Sequence, residues 1–293
     1  MKTPLKYLFL TTLISLILTN INCEDSLRAT IPSYIEIQKF NYDGNSNTTP
    51  PHNVEHESVK ISDAWVTMNG NSLGVFEIPC TIPILEDGLH SFDISPGIKV
   101  NGIAGTRIKY PFYKKYEEEI TIERNSTNLL NPVTSYTDNT NYIYRNEGKF
   151  ELPGNGTILE AGPLSDTICI NQSDIVFQGT KSGAIYLDSI NSYFDIRNIE
   201  ELELELNTFL ELNFKSNISF NIGLLIINGS ETELKQELIQ IYPSEEWKKI
   251  YLDLSPLIGI GNIFSKFKIY FDGSYDNTQL NNAIYLDNLK LVF

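Results

Sequence analysis

Apolar and polar residues alternate with period two along most of this chain. Tyr34-Ile35-Glu36-Ile37-Gln38 places isoleucines on one side and polar groups on the other. Ala64 to Met68 and Ser72 to Pro79 flank the turn Asn69-Gly70-Asn71. An Asn-Gly pair between such runs predicts a hairpin, because both residues tolerate positive φ. Gly88 to Ile94, Glu119 to Glu123 and Phe267 to Phe271 repeat the alternation. Glu201 to Leu206 is built of good helix formers, yet its leucines recur every second residue. On a helix they would point to all sides, so the period predicts a strand there. No stretch of residues 34–124 holds a helical period over eleven positions.

The pattern predicts an all-β protein of two antiparallel β-sandwich domains. The first covers residues 34–124. Residues 125–145, rich in Asn, Thr, Ser and Tyr and containing Asn131-Pro132, are predicted to be a linker. Residues 146–293 form the second domain. Its strand chemistry recurs three times, in Ala184 to Asp188, Ile250 to Asp253 and Ala283 to Asp287.

The beginning of the chain has its own logic. Lys2 and Lys6 precede an apolar run from Tyr7 to Leu18. That run falls short of the roughly 20 residues a membrane span needs, and fits the core of a secretory signal over residues 1–22. Cys23 closes it, which resembles the lipobox of bacterial lipoproteins, although Asn22 stands where that pattern has a small residue. The resemblance implies a lipid on Cys23, a tether over 23–33, and an outer-membrane lipoprotein of the bacterial cell envelope, including its outer surface. Loss of residues 1–22 leaves 37 acidic residues against 20 of the 22 basic ones. So acidic a chain excludes nucleic acid as a partner. Cys80 and Cys169, one per domain, suit neither a disulfide framework nor a zinc site.

Catalytic chemistry is sparse. His52-Asn53-Val54-Glu55-His56 has an inverted zinc-protease spacing. The motif needs a helix, and Pro50-Pro51 before it and Lys60-Ile61 after it leave little room for one. No Ser/His/Asp elbow, Cys/His pair or Gly-rich phosphate loop is evident, so the chain reads as a non-enzyme, with a glycosidase-like enzyme as the minor alternative. Near the end the apolar parity slips, from Ile284 and Leu286 to Leu289, Leu291 and Phe293. A β-bulge at Asp287-Asn288 would produce that slip and would aim Asp287 inward, where a carboxylate needs partners.

Trp247 to Leu254, Phe267 to Phe271 and Ile284 to Leu291 resemble the last strands of carbohydrate-binding-module jelly rolls. Ile31 to Ile35, Ile61 to Val66 and Gly102 to Tyr113 resemble uncharacterised envelope lipoproteins of the Bacteroidetes type. The first domain is similar to a small immunoglobulin or PEGA-type module through Leu73-Gly74 and Gly88-Leu89-His90. The jelly-roll resemblance implies a structural calcium held by Asp287 and Glu151, and sugar stacking on an aromatic drawn from Tyr242, Trp247, Tyr251, Tyr270 and Tyr275. Tyr251 and Tyr270 lie on the polar phase of their strands and are expected to be exposed. Two functional readings follow: a lipid-anchored protein that binds a glycan or an envelope protein through its jelly roll, or a structural component of the envelope without a glycan ligand.

Overall fold

The computed structural model describes residues 31–43, 58–152, 156–229 and 233–293. Cys23, the signal-like segment and the motif His52–His56 lie outside them. The chain is almost wholly β-structure. In the first domain the strands are β1 (Ser33–Ile37), β2 (Asn41–Tyr42), β3 (Asp63–Met68), β4 (Asn71–Glu77), β5 (Cys80–Ile84), β6 (Gly88–Lys99), β7 (Arg107–Lys109) and β8 (Tyr116–Ile122). Asn69 and Gly70 both have positive φ, so the Asn-Gly turn joins β3 to β4 as the pattern predicts. Three strands, in the order β5-β1 with a later strand on the far side, face a five-stranded sheet in which β3 and β6 are central. The alternating residues Ile35, Ile37, Val66, Ile82, Ile84, Phe92 and Ile94 fill the space between. Each such side chain withdrawn from water contributes about 1.5–3 kcal/mol.

Residues 125–145 differ from the expected linker. They supply β9 (Thr127–Leu130), parallel to β1, then β10 (Val133–Thr134), parallel to β2, and β11 (Tyr142–Ile143), antiparallel to the last strand of the chain. Tyr136 between them is 1% exposed. The polar composition misled because these residues satisfy their backbone groups by pairing at sheet edges, with few apolar side chains of their own. Limited proteolysis is therefore expected to spare 125–145, where backbone pairing resists local opening. An early cut between Thr127 and Thr134, mapped by mass spectrometry, would contradict this.

The second domain is a sandwich of two larger sheets. It continues with β12 (Leu159–Ala161), β13 (Ile170–Gln172), β14 (Ser182–Leu187), β15 (Tyr193–Asn198), β16 (Phe209–Ser216), β17 (Phe220–Ile227), β18 (Glu233–Ile241), β19 (Ser244–Asp253), β20 (Lys266–Ser274) and β21 (Asn282–Val292), with the short helix α1 (Ser255–Ile258) after β19. One sheet runs β13-β14-β21-β16-β19, with β11 also on β21; the other runs β12-β15-β20-β17-β18. Leu210, Leu212, Phe214, Ile284, Leu286, Leu289 and Leu291 from the first meet Phe194, Ile196, Ile222, Leu224, Ile269 and Phe271 from the second. Glu201 to Leu206 is not a strand: Leu202 makes a single bridge to Phe267. Leu202 and Leu204 pack inward while Leu206 is exposed, so the period records only a brief contact with the core.

The two domains meet over a third apolar cluster. The far half of β6 carries Ile98 out of the first core, and Ile98, Val100, Tyr110, Tyr113 and Tyr136 pack on Phe209, Tyr251 and Val292. At its centre Glu211 is fully buried. It accepts hydrogen bonds from the hydroxyls of Tyr110 at 2.8 Å and Tyr136 at 2.6 Å, and pairs with Lys249 at 2.8 Å. Burial acts to raise the Glu211 carboxyl pKa, but Lys249 and Lys290 outweigh it and hold it below the usual range. Backbone bonds complete the junction: Asn101 N–H donates to the Tyr251 carbonyl, and Asp253 N–H to the Asn101 side chain.

Candidate functional site

The second sheet of the jelly roll turns a polar face away from the core. On β15, Phe194 and Ile196 point inward, which leaves Tyr193, Asp195 and Arg197 outward. On β20, Phe267, Ile269 and Phe271 are inward and Lys268, Tyr270 and Asp272 outward. On β17 the outward set is Asn221, Gly223 and Leu225. Register then builds rows across the sheet. Asn221, Asp272 and Asp195 are direct neighbours, and so are Gly223, Tyr270 and Arg197.

Tyr270 lies flat because position 223 has no side chain. A Cβ there would come within 2.6 Å of the tyrosine ring and 2.1 Å of the Gln236 carbonyl. The Lys235 amine sits 4.4 Å from the centre of that ring, within cation–π range. It also pairs with Asp272 at 2.6 Å and Asp195 at 3.5 Å. Burial favours the neutral amine, yet the two carboxylates win and hold the Lys235 pKa above its ordinary value. Arg197 bridges Asp195 and Glu233, at 3.1 Å to each. Tyr193 donates its hydroxyl to Asp272 at 3.3 Å. Gly162 closes one end: a Cβ there would meet Arg197 Nη2 at 2.4 Å.

This network is buried but incomplete. Arg197 Nε, Asn221 Oδ1 and Asp272 Oδ1 are buried without a hydrogen-bond partner among the described residues, and Asp195 Oδ1 has only the Lys235 amine at 3.5 Å. Such groups are costly to leave unmatched. Tyr193, Lys235 and Glu233 at its rim are part exposed, and the three unmatched atoms lie beneath them. Uncovered by movement of those rim side chains, one donor and two acceptors would suit a ligand rich in hydroxyl groups, each of which donates and accepts.

The aromatic residues named from sequence do not form one platform. Tyr270 belongs to this network but is 2% exposed, under Lys235. Tyr251, also 2% exposed, is consumed by the domain junction, where its hydroxyl lies 3.0 Å from that of Tyr113 and accepts the Lys60 N–H. Both were expected to be exposed; both lie on the outward phase, which here is covered. Tyr275 packs partly into the jelly-roll core. Trp247 lies on β19 of the other sheet, 5.7 Å from the ring of Phe177. Tyr242 is exposed between β18 and β19. Sequence reasoning missed Tyr193, Asp195, Arg197, Asn221, Lys235 and Asp272. The available signal was charge on the outward phase of strands whose order the sequence does not show.

Asp287 is fully buried, and the bulge is present: the β16–β21 register shifts opposite Asn288, whose φ is positive. The side chain does not face the sandwich interior. It lies beside Asn213 on the outward phase, under residues 177–178. Its carboxylate accepts the N–H groups of Asn288 at 2.7 Å and Gln178 at 3.1 Å, and of Phe177. Glu151 accepts the N–H groups of Thr180 and Lys181. Calcium asks for six to eight oxygens. Among the described residues no three His, Cys, Asp or Glu side chains converge, and both carboxylates face N–H donors. This donor set does not fit the calcium that the resemblance implies.

Burial pushes the Asp287 pKa up to about 7, against the N–H bonds. In the unfolded chain it would be about 3.9, so the folded state binds the proton more tightly. Its contribution is fully present below about pH 4 and is lost as pH rises through 7, on the order of 4 kcal/mol. Asp287→Ala is expected to cost about 1–3 kcal/mol at pH 5 and less at pH 8, where the native chain itself carries the buried charge. Chelator is expected to leave both melting temperatures unchanged. A fall in the native melting temperature with chelator, absent in the variant, would restore the calcium reading.

No family model matches the chain, and no curated protein matches it. The envelope-lipoprotein resemblance therefore finds no support among these comparisons. Solved structures do resemble it. A family 11 carbohydrate-binding module from Clostridium thermocellum, in complex with a β-1,3-1,4-mixed-linked tetrasaccharide, is 17% identical with a TM-score of 0.35, covering 52% of this chain and 94% of its own. A family 29 module from Piromyces equi is 11% identical with a TM-score of 0.34, covering 53% and 91%. A module from the β-sandwich superfamily of carbohydrate-binding modules, described with promiscuous specificity, is 11% identical with a TM-score of 0.34, covering 78% and 84%.

Proposed function

We propose that this protein is a non-catalytic, lipid-anchored glycan-binding protein whose recognition surface is the outward face of β15, β20 and β17. The observation that carries this is the unmatched set Arg197 Nε, Asn221 Oδ1 and Asp272 Oδ1, fixed by register beside Tyr193 and Lys235. A sugar with adjacent hydroxyl groups would supply both the acceptor and the donors this set lacks. The apolar cluster at the junction packs the jelly roll against the first sandwich, an arrangement that would suit a spacer between membrane and ligand.

A glycan array screened with the full chain should yield a neutral oligosaccharide ligand. Tyr193→Phe and Arg197→Lys should each weaken it about tenfold or more, as expected for a hydrogen bond to a charged group. Equal affinity in both variants would remove this face from the proposal. The anchor has its own test. Cys23→Ser should shift the protein from the detergent phase to the aqueous phase, and unchanged partitioning would remove the lipid.

A further inference from the structure

A groove of about 410 Å³ runs between the two domains, separate from the polar sheet face. From the first domain it takes Lys60 and the turn Asn101-Gly102; from the jelly roll it takes Tyr242, Pro243 and Lys248. Its floor is apolar, of Phe214, Ile241 and Ile250. The volume is that of a small-ligand site. Every charged residue that lines it, among the described residues, is a lysine, in a chain whose net charge is −15. Lys249, the third, is engaged by Glu211. Lys60 and Lys248 have no carboxylate partner among the described residues, whereas Lys99 nearby pairs with Glu77 at 2.8 Å. Partial burial in the groove lowers the Lys60 pKa, and the charges of Lys248 and Lys99 lower it further. Two like charges from separate domains thus line one groove, with no carboxylate paired to either among the described residues. A bound anion would relieve that repulsion. Tyr242, at 72% exposure, presents a ring at the rim, and such a ring offers an apolar face beside a polar edge.

We propose that this groove binds the carboxylate of an acidic sugar, a uronide, which spans the two domains between Lys60 and Lys248 with its ring against Tyr242. The uronide carboxylate accepts from both amines, and its apolar face covers the tyrosine. The groove is a second site, independent of the neutral-glycan face.

The test is calorimetric titration of the full chain with a galacturonate trisaccharide, a neutral galactose trisaccharide and inorganic phosphate. The galacturonate should bind, more weakly as salt is raised. Lys60→Gln and Lys248→Gln should each weaken it about tenfold, and Tyr242→Ala several-fold, while Tyr193→Phe on the sheet face leaves it unchanged. Failure to bind at millimolar concentration, or binding indifferent to both lysine variants, would overturn the proposal. Phosphate binding as tightly as the galacturonate would overturn the sugar assignment. A galacturonate that responds to Tyr193→Phe but to neither lysine would place it on the sheet face and sink the groove alone. Lysine-dependent binding with no neutral ligand on an array would sink the sheet-face reading alone.

Discussion

Replacing Glu211 with alanine is expected to lower stability by about 3–5 kcal/mol, the range for breaking a buried ion pair by removing one partner. The variant would leave Lys249 and Lys290, whose side chains are 3% and 5% exposed, without their shared counter-charge. It would also strip the acceptor from the hydroxyls of Tyr110 and Tyr136. Those tyrosines belong to the first domain and its extension, and the lysines to the jelly roll, so the damage falls on the junction. Denaturant unfolding should show the loss together with two separated transitions in place of one. The pH dependence has a defined sign. A carboxyl held below its ordinary pKa stabilises above its unfolded value near 4.3, and that stability is lost as pH falls through the folded value. The native chain should therefore lose the junction in acid, and Glu211→Ala should have lost it already at pH 7. A change within about 0.5 kcal/mol would mean the junction does not hold the domains.

Phe150→Ala is expected to cost about 3–5 kcal/mol. Phe150 is fully buried in the jelly-roll core and has a positive φ of 58°, held by the 3-10 turn Glu147–Lys149 before it. Its ring lies against Gly183 of β14, where a Cβ would approach within 2.5 Å. Truncation leaves a void that this backbone cannot close, because Gly148 is itself pressed against the Leu289 carbonyl. The reverse change, Gly183→Val, should also destabilise, by about 1–3 kcal/mol, through overpacking. Both are read by thermal or denaturant melts of the full chain. Tolerance of both would mean the start of the second domain is loosely packed.

Period two was enough to read the all-β class, the hairpin at Asn69-Gly70 and the bulge at Asp287-Asn288, because each is written in adjacent residues. It also placed Tyr251 and Tyr270 on the outward phase. What it could not show was cover. Tyr251 is buried because Val100 and Asn101, about 150 residues earlier, pair with it, and Tyr270 because Gly223 and Lys235 come from neighbouring strands. The polar network was hidden for the same reason. Tyr193, Asp195, Arg197, Asn221 and Asp272 sit in three separate stretches, and only strand order and register bring them into rows. Residues 125–145 read as a linker from composition, since edge pairing uses backbone groups that leave no side-chain signature.

The most direct measurement is a crystal structure of the full chain with its tightest neutral oligosaccharide. The sugar is expected on the outward face of the second sheet, with hydroxyl groups within hydrogen-bond distance of Arg197 Nε, Asn221 Oδ1 and Asp272 Oδ1, beside Tyr193. A sugar bound only elsewhere, with those three atoms meeting water alone, would contradict the account.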